Sequence, residues 1–296
     1  MKYPAKITKT YLFKLSIPIF FANLATPLVG VVDTSLLGHL NNAKYLAAAS
    51  IATSVISMIF WSFGFLRMGT TGLVSQSLGK GDYREIVLST IRNLSIAALI
   101  GFLILFIKYP VLSLIDSFFS ISAETSNLIK RYISVRLFSA PAELGLYVLV
   151  GLFIGIQKTK ISSFFVTLFS ILNIILSIYF VKYLNLDIFG VALGTVLSSY
   201  LTAFIFMIFT YFYIKKTFNI IPRYRKVFIA KKVLMLFNMN FDLFIRTILL
   251  TFSFLWFTYL SSQLSEDYLA VNSILLQFIV LASFFLDSYA FSTEGV

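Results

Sequence analysis

Cysteine is absent from the 296-residue chain, and histidine occurs once, as His39. Disulfides, cysteine nucleophiles and thiolate metal sites are therefore excluded, as is a metal or haem site that needs several histidines. Charge is also scarce: Asp, Glu, Lys and Arg make up 12% of the residues, against about 25% in an average soluble domain. These absences indicate an integral membrane protein, for which we expect no metal and no organic cofactor.

Long apolar runs take the place of the missing charge, because 59% of the residues are hydrophobic. Several runs approach 20 residues, the length that crosses about 30 Å of hydrocarbon. They lack the short apolar-polar alternation of membrane barrels. We predict an all-α polytopic membrane protein with about eight transmembrane helices, at residues 11–38, 45–78, 88–107, 125–157, 161–182, 188–214, 233–260 and 267–296.

The basic residues lie between these runs, chiefly in the N-terminal arm and in the second, fourth and sixth connections, with Arg92 assigned to the second. Lysine and arginine accumulate on the cytoplasmic side of membrane proteins. We therefore place the chain in the cell (inner) membrane with a cytoplasmic N-terminus. The net charge of +12 is explained by orientation signals, so no nucleic-acid partner is expected.

A short internal repeat suggests two halves. The segment YLAAASI (45–51) recurs as YLAVNSI (268–274), with five of seven residues identical. We predict a six-helix N-lobe at 1–214, a basic cytoplasmic linker at 215–232 and the first two helices of an incomplete C-lobe at 233–296. Two full copies need about 450 residues in the manner of repeat-built transporters, so we expect that the chain stops early.

Acidic residues at membrane depth are the first functional candidates, because such charges are costly to insert. Asp33 lies on the first helix, six residues after Pro27. The proline removes a backbone donor and lets the helix bend. A carboxylate in apolar surroundings can take up and release a proton near neutral pH, or it can ligate Na⁺. The alternative is a structural hydrogen bond.

Further charged residues form three groups. Asp287 and Glu294 share one face of the eighth helix, where they bind a cation or a cationic substrate, or are merely exposed in a truncated chain. Asp242 and Arg246 stand in the favourable i, i+4 order, and we interpret them as a structural ion pair. We also interpret Arg136 and Glu143 as a second structural pair, Asn240 as a candidate for the substrate cavity and His39 as the cap of the first helix.

Longer motifs carry a family resemblance. The stretches IPIFFANLATPLVGVVDTSLLGHL (17–40), RMGTTGLVSQSLGKGD (67–82), RLFSAP (136–141), SILNIILS (170–177) and GVALGTVLSSY (190–200) resemble the multidrug and toxic compound extrusion (MATE) transporters, in particular their DinF-like branch. The resemblance implies twelve helices in two six-helix lobes that alternate between outward- and inward-open states. It implies antiport of cationic or amphiphilic compounds against H⁺ or Na⁺.

The resemblance also assigns residues. Asp33 matches the family's cation-coupling acid, Pro27 lies in the stretch whose bending depends on proline, and Asn173 and Thr195 match polar residues of the N-lobe cavity. Asp287 and Glu294 match acidic positions of the eighth helix. Ser177 and Ser199 stand where relatives carry an aspartate and a glutamate, so the coupling site consists of Asp33 with the neutral helpers Asn173, Thr195 and Ser177. This substitution favours H⁺ over Na⁺.

Two readings compete with antiport. The chain is a truncated, transport-inactive fragment or partner subunit, or it is a lipid-linked saccharide flippase of related architecture. The flippase would be expected to line its cavity with lysines and arginines, which the central acids argue against. No constellation of nucleophile and base appears, so we expect that the protein is not an enzyme.

Overall fold

The structure is a computed structural model that describes residues 8–39, 43–118, 122–218, 241–242, 244–254, 256–257, 259–260 and 266–295. Every regular element within these residues is helical, which confirms the predicted all-α class. The helices are α1 (Lys9–Gly38), α2 (Ala43–Ser62), α3 (Phe65–Gly79), α4 (Tyr83–Phe106), α5 (Lys108–Phe118), α6 (Ala123–Arg136), α7 (Ala140–Gly155), α8 (Thr159–Ile178), α9 (Asp187–Phe218), α10 (Phe244–Phe254) and α11 (Glu266–Glu294).

Six spans in the described residues are long and apolar enough to cross a membrane. Two of them, Ala48–Gly79 and Ala123–Gly155, confirm the spans predicted at 45–78 and 125–157, but each contains an internal break that was not predicted. The first interruption lies between α2 and α3 at Gly64, a residue that weakens a helix interior. The second is a 3₁₀ turn at Leu137–Ser139, just before Pro141 in the first turn of α7. Proline favours a helix start and cannot donate to the preceding turn.

The helix α4 begins earlier than predicted, at Tyr83 instead of residue 88. Asp82 caps it, because its carboxylate accepts a 3.0 Å hydrogen bond from the Glu85 backbone N–H. The assignment of Arg92 to a connection was consequently wrong. Arg92 lies inside α4 with 2% of its surface exposed, and its guanidinium lies 3.3 Å from the carboxylate of Glu85. The short helix α5 was not predicted either.

The two copies of the internal repeat occupy equivalent places. Tyr45 is the third residue of α2 and Tyr268 the third residue of α11. Residues 219–240 lie outside the described part of the chain, so the lobe boundaries at 214 and 232 stay predictions. The seventh predicted helix, at 233–260, is described only from residue 241, and α10 is its uninterrupted part.

The helix α7 lies in the middle of the first half and packs against α3, α4, α8 and α9. Its contact with α3 is close because a Cβ atom at Gly151 would lie 2.6 Å from the backbone oxygen of Arg67. The helix α1 packs on α8 and also on α11, and α11 in turn contacts α3 and α7. The last helix is therefore packed directly onto the first half, with α1 between it and α8.

Candidate functional site

The acid of the first span lies on an unbroken helix. The helix α1 runs for 30 residues and contains both Pro18 and Pro27. The Thr8 side chain accepts a hydrogen bond from the Tyr11 backbone N–H at its start, and His39 follows its last residue, with Nδ1 2.7 Å from the Ser35 backbone oxygen. The predicted cap at His39 is thus present.

The carboxylate of Asp33 is half-buried, and its Oδ1 atom is buried without a hydrogen-bond partner in the described residues. Buried polar atoms are nearly always hydrogen-bonded, so an exception calls for an explanation. The Asp33 side chain has the hydroxyl of Ser177 on α8 as a hydrogen-bonding neighbour and the guanidinium of Arg136 on α6 as a nearby charge. Asp33 therefore has an oxygen available for a proton or a cation.

A buried polar network lies on the adjacent helices. The Asn173 amide of α8 donates a 3.0 Å hydrogen bond to the Thr195 hydroxyl of α9, and the Ser177 hydroxyl donates a 3.1 Å bond to the Asn173 amide oxygen. Thr195 in turn donates to the Val191 backbone oxygen at 3.1 Å. The network joins α8 to α9 and reaches the surroundings of Asp33 through Ser177.

Glycine makes this network possible. A Cβ atom at Gly194 would lie 2.9 Å from the Ser177 backbone nitrogen and 3.0 Å from its hydroxyl oxygen. Any side chain at that position would push α9 away from α8. The four residues that the sequence assigned to cation coupling are thus brought together by close helix packing, although their role stays a prediction.

Arg136 has its own counter-ion next to this site. Its guanidinium lies 2.5 Å from a carboxylate oxygen of Glu143, donates to Ser139 and lies 5.0 Å from the ring centroid of Phe60. Both side chains of the ion pair are only 12% exposed. Among the described residues the ion-pair partner of Arg136 is Glu143 and not Asp33, so the Asp33 carboxylate stays open to another partner.

A second charged cluster joins α3 and α11. The Arg67 guanidinium lies 3.1 Å from the carboxylate of Glu294 and 3.5 Å from the ring centroid of Phe291. Asp287, two turns earlier on α11, also acts electrostatically on Arg67. The Ser75 hydroxyl donates a 3.4 Å bond to the Glu294 backbone oxygen. Glu294 thus has a cationic partner on the first half that the sequence analysis did not predict.

The remaining candidates fall elsewhere. Asp242 and Arg246 are both exposed, and no ion pair joins them in the described residues, so the predicted pairing is not seen. Asn240 lies outside the described residues. The Ser199 hydroxyl bonds backbone oxygens of its own helix. Sequence reasoning also missed a buried bond of 2.9 Å from the Asn93 amide to the Thr70 hydroxyl, because neither residue belongs to a charged motif.

The described residues hold no group of three or more His, Cys, Asp or Glu side chains arranged for a metal ion. The site consists of the Asp33 carboxylate with its open Oδ1 atom, next to the hydroxyl and amide groups of Ser177, Asn173 and Thr195 between apolar helices. That arrangement suits reversible binding of a small cation, and it contains no nucleophile–base pair. The fold and the site together define a polytopic helical membrane protein with an acid buried in its first span.

A match to a protein-family model identifies the family of the chain. A family model described as MatE matches residues 18–179, which is more than half of the chain. The chain belongs to the MatE family, as the sequence resemblance implied.

Relatives with established names agree with this assignment. The chain is 30% identical to DNA damage-inducible protein F of Escherichia coli (strain K12) over 284 residues, which cover 96% of this chain and 62% of that protein. It is 25% identical to the multidrug export protein MepA of Staphylococcus haemolyticus (strain JCSC1435) over 194 residues, 66% of this chain and 43% of that protein. The chain therefore spans less than two thirds of the length of these relatives.

Solved structures share the fold. The chain superimposes on a MOP superfamily transporter from Pyrococcus furiosus, described as having a binding pocket of reversed polarity, with a TM-score of 0.86 and 19% identity over 98% of this chain and 66% of that one. An outward-facing multidrug resistance MATE family transporter gives the same TM-score and identity over 97% of this chain and 66% of that one.

Proposed function

We propose that the protein is the multidrug efflux component of a cation antiporter and that protonation of Asp33 couples ion entry to export. The observation that supports this proposal is the buried Oδ1 atom of Asp33, which has no partner among the described residues. An unpartnered buried carboxylate oxygen is costly. A proton relieves that cost, so loading and unloading the acid changes the energy of whatever conformation buries it.

Coupling of this kind needs a conformation that responds to the proton. Alternating access between two lobes would supply such a conformational change. The helix α1 would change shape on protonation, since it carries both Asp33 and the helix-weakening Pro27. A neutral Asp33 tolerates burial among apolar helices better than a charged one does, because burial penalises the charged form. Protonation would therefore favour a bent α1 and release of the exported compound.

The coupling ion is H⁺ rather than Na⁺ in this proposal. A proton needs one oxygen atom, whereas Na⁺ needs several oxygen ligands at once. Asp33 is accompanied by the hydroxyl of Ser177, but the Asn173 oxygen and the Thr195 hydroxyl already bond within the α8–α9 network. Among the described residues, Asp33 Oδ1 is then the one carboxylate oxygen left open at this site, which is enough for a proton but too few ligands for Na⁺.

The exported compounds are small cationic or amphiphilic molecules, consistent with the multidrug export proteins among the relatives. The protein would act in the cell (inner) membrane with its N-terminus in the cytoplasm, without a cofactor, as a transporter and not as an enzyme. No nucleic acid takes part. Asp287 and the Arg67–Glu294 pair would lie where α11 meets the first half, on the route between the lobes.

The test is transport by the protein in membrane vesicles. Ethidium efflux is measured against an imposed pH gradient and, separately, against an imposed Na⁺ gradient. Asp33→Asn should reduce pH-driven efflux by at least tenfold while insertion into the membrane is unchanged. Asp242→Asn, which removes an exposed carboxylate from the same chain, is the matched control and should transport normally. Undiminished pH-driven efflux by Asp33→Asn, or efflux driven only by Na⁺, would contradict the proposal.

A further inference from the structure

A cleft of about 450 Å³ opens between the start of α1 and the turn that leads into α8. One wall consists of Lys14, Leu15, Ile17 and Pro18, and the other of residues 157–161. Lysines supply three of its lining side chains, Lys14, Lys158 and Lys160, so we name it the lysine cleft. Its nearest residue on α1, Pro18, lies about four helical turns from Asp33, and the cleft plays no part in the coupling described above.

The lysine cleft carries uncompensated positive charge. Its lining contains no acidic residue. The ion pairs between described residues use Arg67, Arg92 and Arg136 as their cations, so none of the three lysines pairs with a carboxylate in that part of the chain. Three ammonium groups around one concave space attract an anion, and they do so more strongly next to a low-dielectric wall.

The backbone of the cleft adds to this charge. Thr159 is the first residue of α8, and Lys158 before it makes no side-chain cap. The Ile161 N–H donates to the Lys158 backbone oxygen at 2.9 Å, which leaves the N–H groups of Thr159 and Lys160 without an acceptor among the described residues. These groups and the helix dipole favour a negative charge at this end.

The wall that carries these groups is fixed in place. Gln157 adopts a left-handed backbone conformation with φ +60°, which ends α7 sharply and turns the chain into α8. The Tyr11 hydroxyl of α1 donates a 2.7 Å hydrogen bond to the Gln157 side-chain oxygen. The cleft is therefore preformed by a contact between its two walls, and a ligand would not have to assemble it.

The lining is also amphipathic. Leu15, Ile17 and Ile161 line the cleft together with the lysines, and all of these residues belong to membrane-spanning helices at their basic end. A free phosphate ion would use only the cationic groups. A phospholipid uses both, because its phosphate meets the ammonium groups while its glycerol and first acyl carbons meet the apolar side chains.

We propose that the lysine cleft is a binding site for the phosphate headgroup of an anionic phospholipid. The lipid would belong to the leaflet at the basic ends of the helices, where lysines of the α3–α4 turn and of the α9 end also lie. Each lysine near an anionic membrane surface contributes about a fivefold gain in affinity. Loss of all three should weaken binding on the order of 100-fold.

The experiment is native mass spectrometry of the whole chain in detergent, titrated with phosphatidylglycerol and, separately, with phosphatidylcholine. The proposal expects a tightly bound phosphatidylglycerol adduct that phosphatidylcholine does not reproduce. Replacing Lys14, Lys158 and Lys160 together by Gln should remove this adduct. The matched control replaces Lys80, Lys215 and Lys216 by Gln, which removes the same charge at the same end of the helices and should keep the adduct.

Two further arms complete the test. Replacing Lys14, Lys158 and Lys160 together by Arg keeps the charge and should retain the adduct. This variant separates an effect of lost charge from an effect of lost fold. A photoreactive phosphatidylglycerol should crosslink to residues 157–161 of the unaltered protein. Equal binding of the two lipids, an adduct that survives the triple Gln variant, displacement by millimolar inorganic phosphate or crosslinks elsewhere would each overturn the proposal.

Discussion

Replacement of Glu294 by methionine removes the carboxylate that faces Arg67 and tests how strongly α11 is held to the first half. Breaking a fully buried ion pair from one side costs about 3–5 kcal/mol, because the remaining charge stays buried without a partner. Here the Arg67 and Glu294 side chains are 13% and 24% exposed, so water screens part of that cost. The Phe291 ring also still covers the guanidinium at 3.5 Å.

We therefore expect Glu294→Met to lower the free energy of unfolding by about 2 kcal/mol, which is less than the loss for a fully buried pair because water screens the remaining charge. Arg67→Met leaves the more exposed carboxylate behind and should cost about 1–2 kcal/mol. The double variant, Arg67→Met with Glu294→Met, should lie within about 1 kcal/mol of the unaltered protein. Paired charges replaced by apolar groups of similar volume leave no uncompensated charge.

The assay is reversible unfolding in mixed micelles of increasing SDS content, followed by tryptophan fluorescence, for the unaltered chain and the three variants. Asp242→Met serves as the control, because that carboxylate is exposed and no ion pair with it is seen in the described residues. The reasoning is refuted if the loss in the double variant equals the sum of the two single losses, since the two charges would then not be coupled.

Two further predictions concern packing and hydrogen bonding within the first half. Gly194→Ala should destabilise the protein by about 1–3 kcal/mol, because the new Cβ atom would lie 2.9 Å from a backbone nitrogen of α8. Gly72→Ala, where nothing lies within 4 Å, should be neutral or stabilising, and SDS unfolding that ranks the two variants alike would contradict this. Tyr11→Phe removes a 2.7 Å hydrogen bond to the turn before α8 and should cost about 1 kcal/mol in the same assay, whereas the exposed Tyr109→Phe should have no effect; equal effects of the two would mean that the bond does not stabilise the fold.

The sequence predicted most of the helices because apolar length alone defines a membrane span. It placed α1 within two residues of its observed start, at Lys9 instead of residue 11. It failed where a span contains an internal break. Gly64 and Pro141 lie within runs that are long enough and apolar enough to form one membrane span, so hydropathy does not mark the break in the helix. A glycine or a proline in such a run is tolerated when neighbouring helices satisfy the freed backbone groups, and the sequence does not show those neighbours.

The candidate site was predicted in part for a similar reason. Asp33 was identified from the cost of a charge in an apolar run, and Arg136 and Glu143 from their spacing of two helical turns. The partner of Glu294 was missed because Arg67 lies 227 residues away in the chain, and only the packing of α11 on α3 brings the two together. Arg92 was misplaced because a cation near a helix end resembles a connection, although Glu85 pairs with it inside α4.

Pro27 lies between two contacts that α1 makes with different helices, so a bend at Pro27 would move one contact relative to the other. Before the proline, the ring of Phe20 packs edge-on against that of Phe285 on α11, with centroids 5.5 Å apart. After it, Asp33 faces α8. Asp33 lies six residues beyond the pivot, or about 9 Å along the axis, so a kink of roughly 20° would move it sideways by about 3 Å. A displacement of that size equals the length of a hydrogen bond, so a bend of this angle at Pro27 would be enough to make or break a hydrogen bond between Asp33 and α8 while Phe20 keeps its contact with α11.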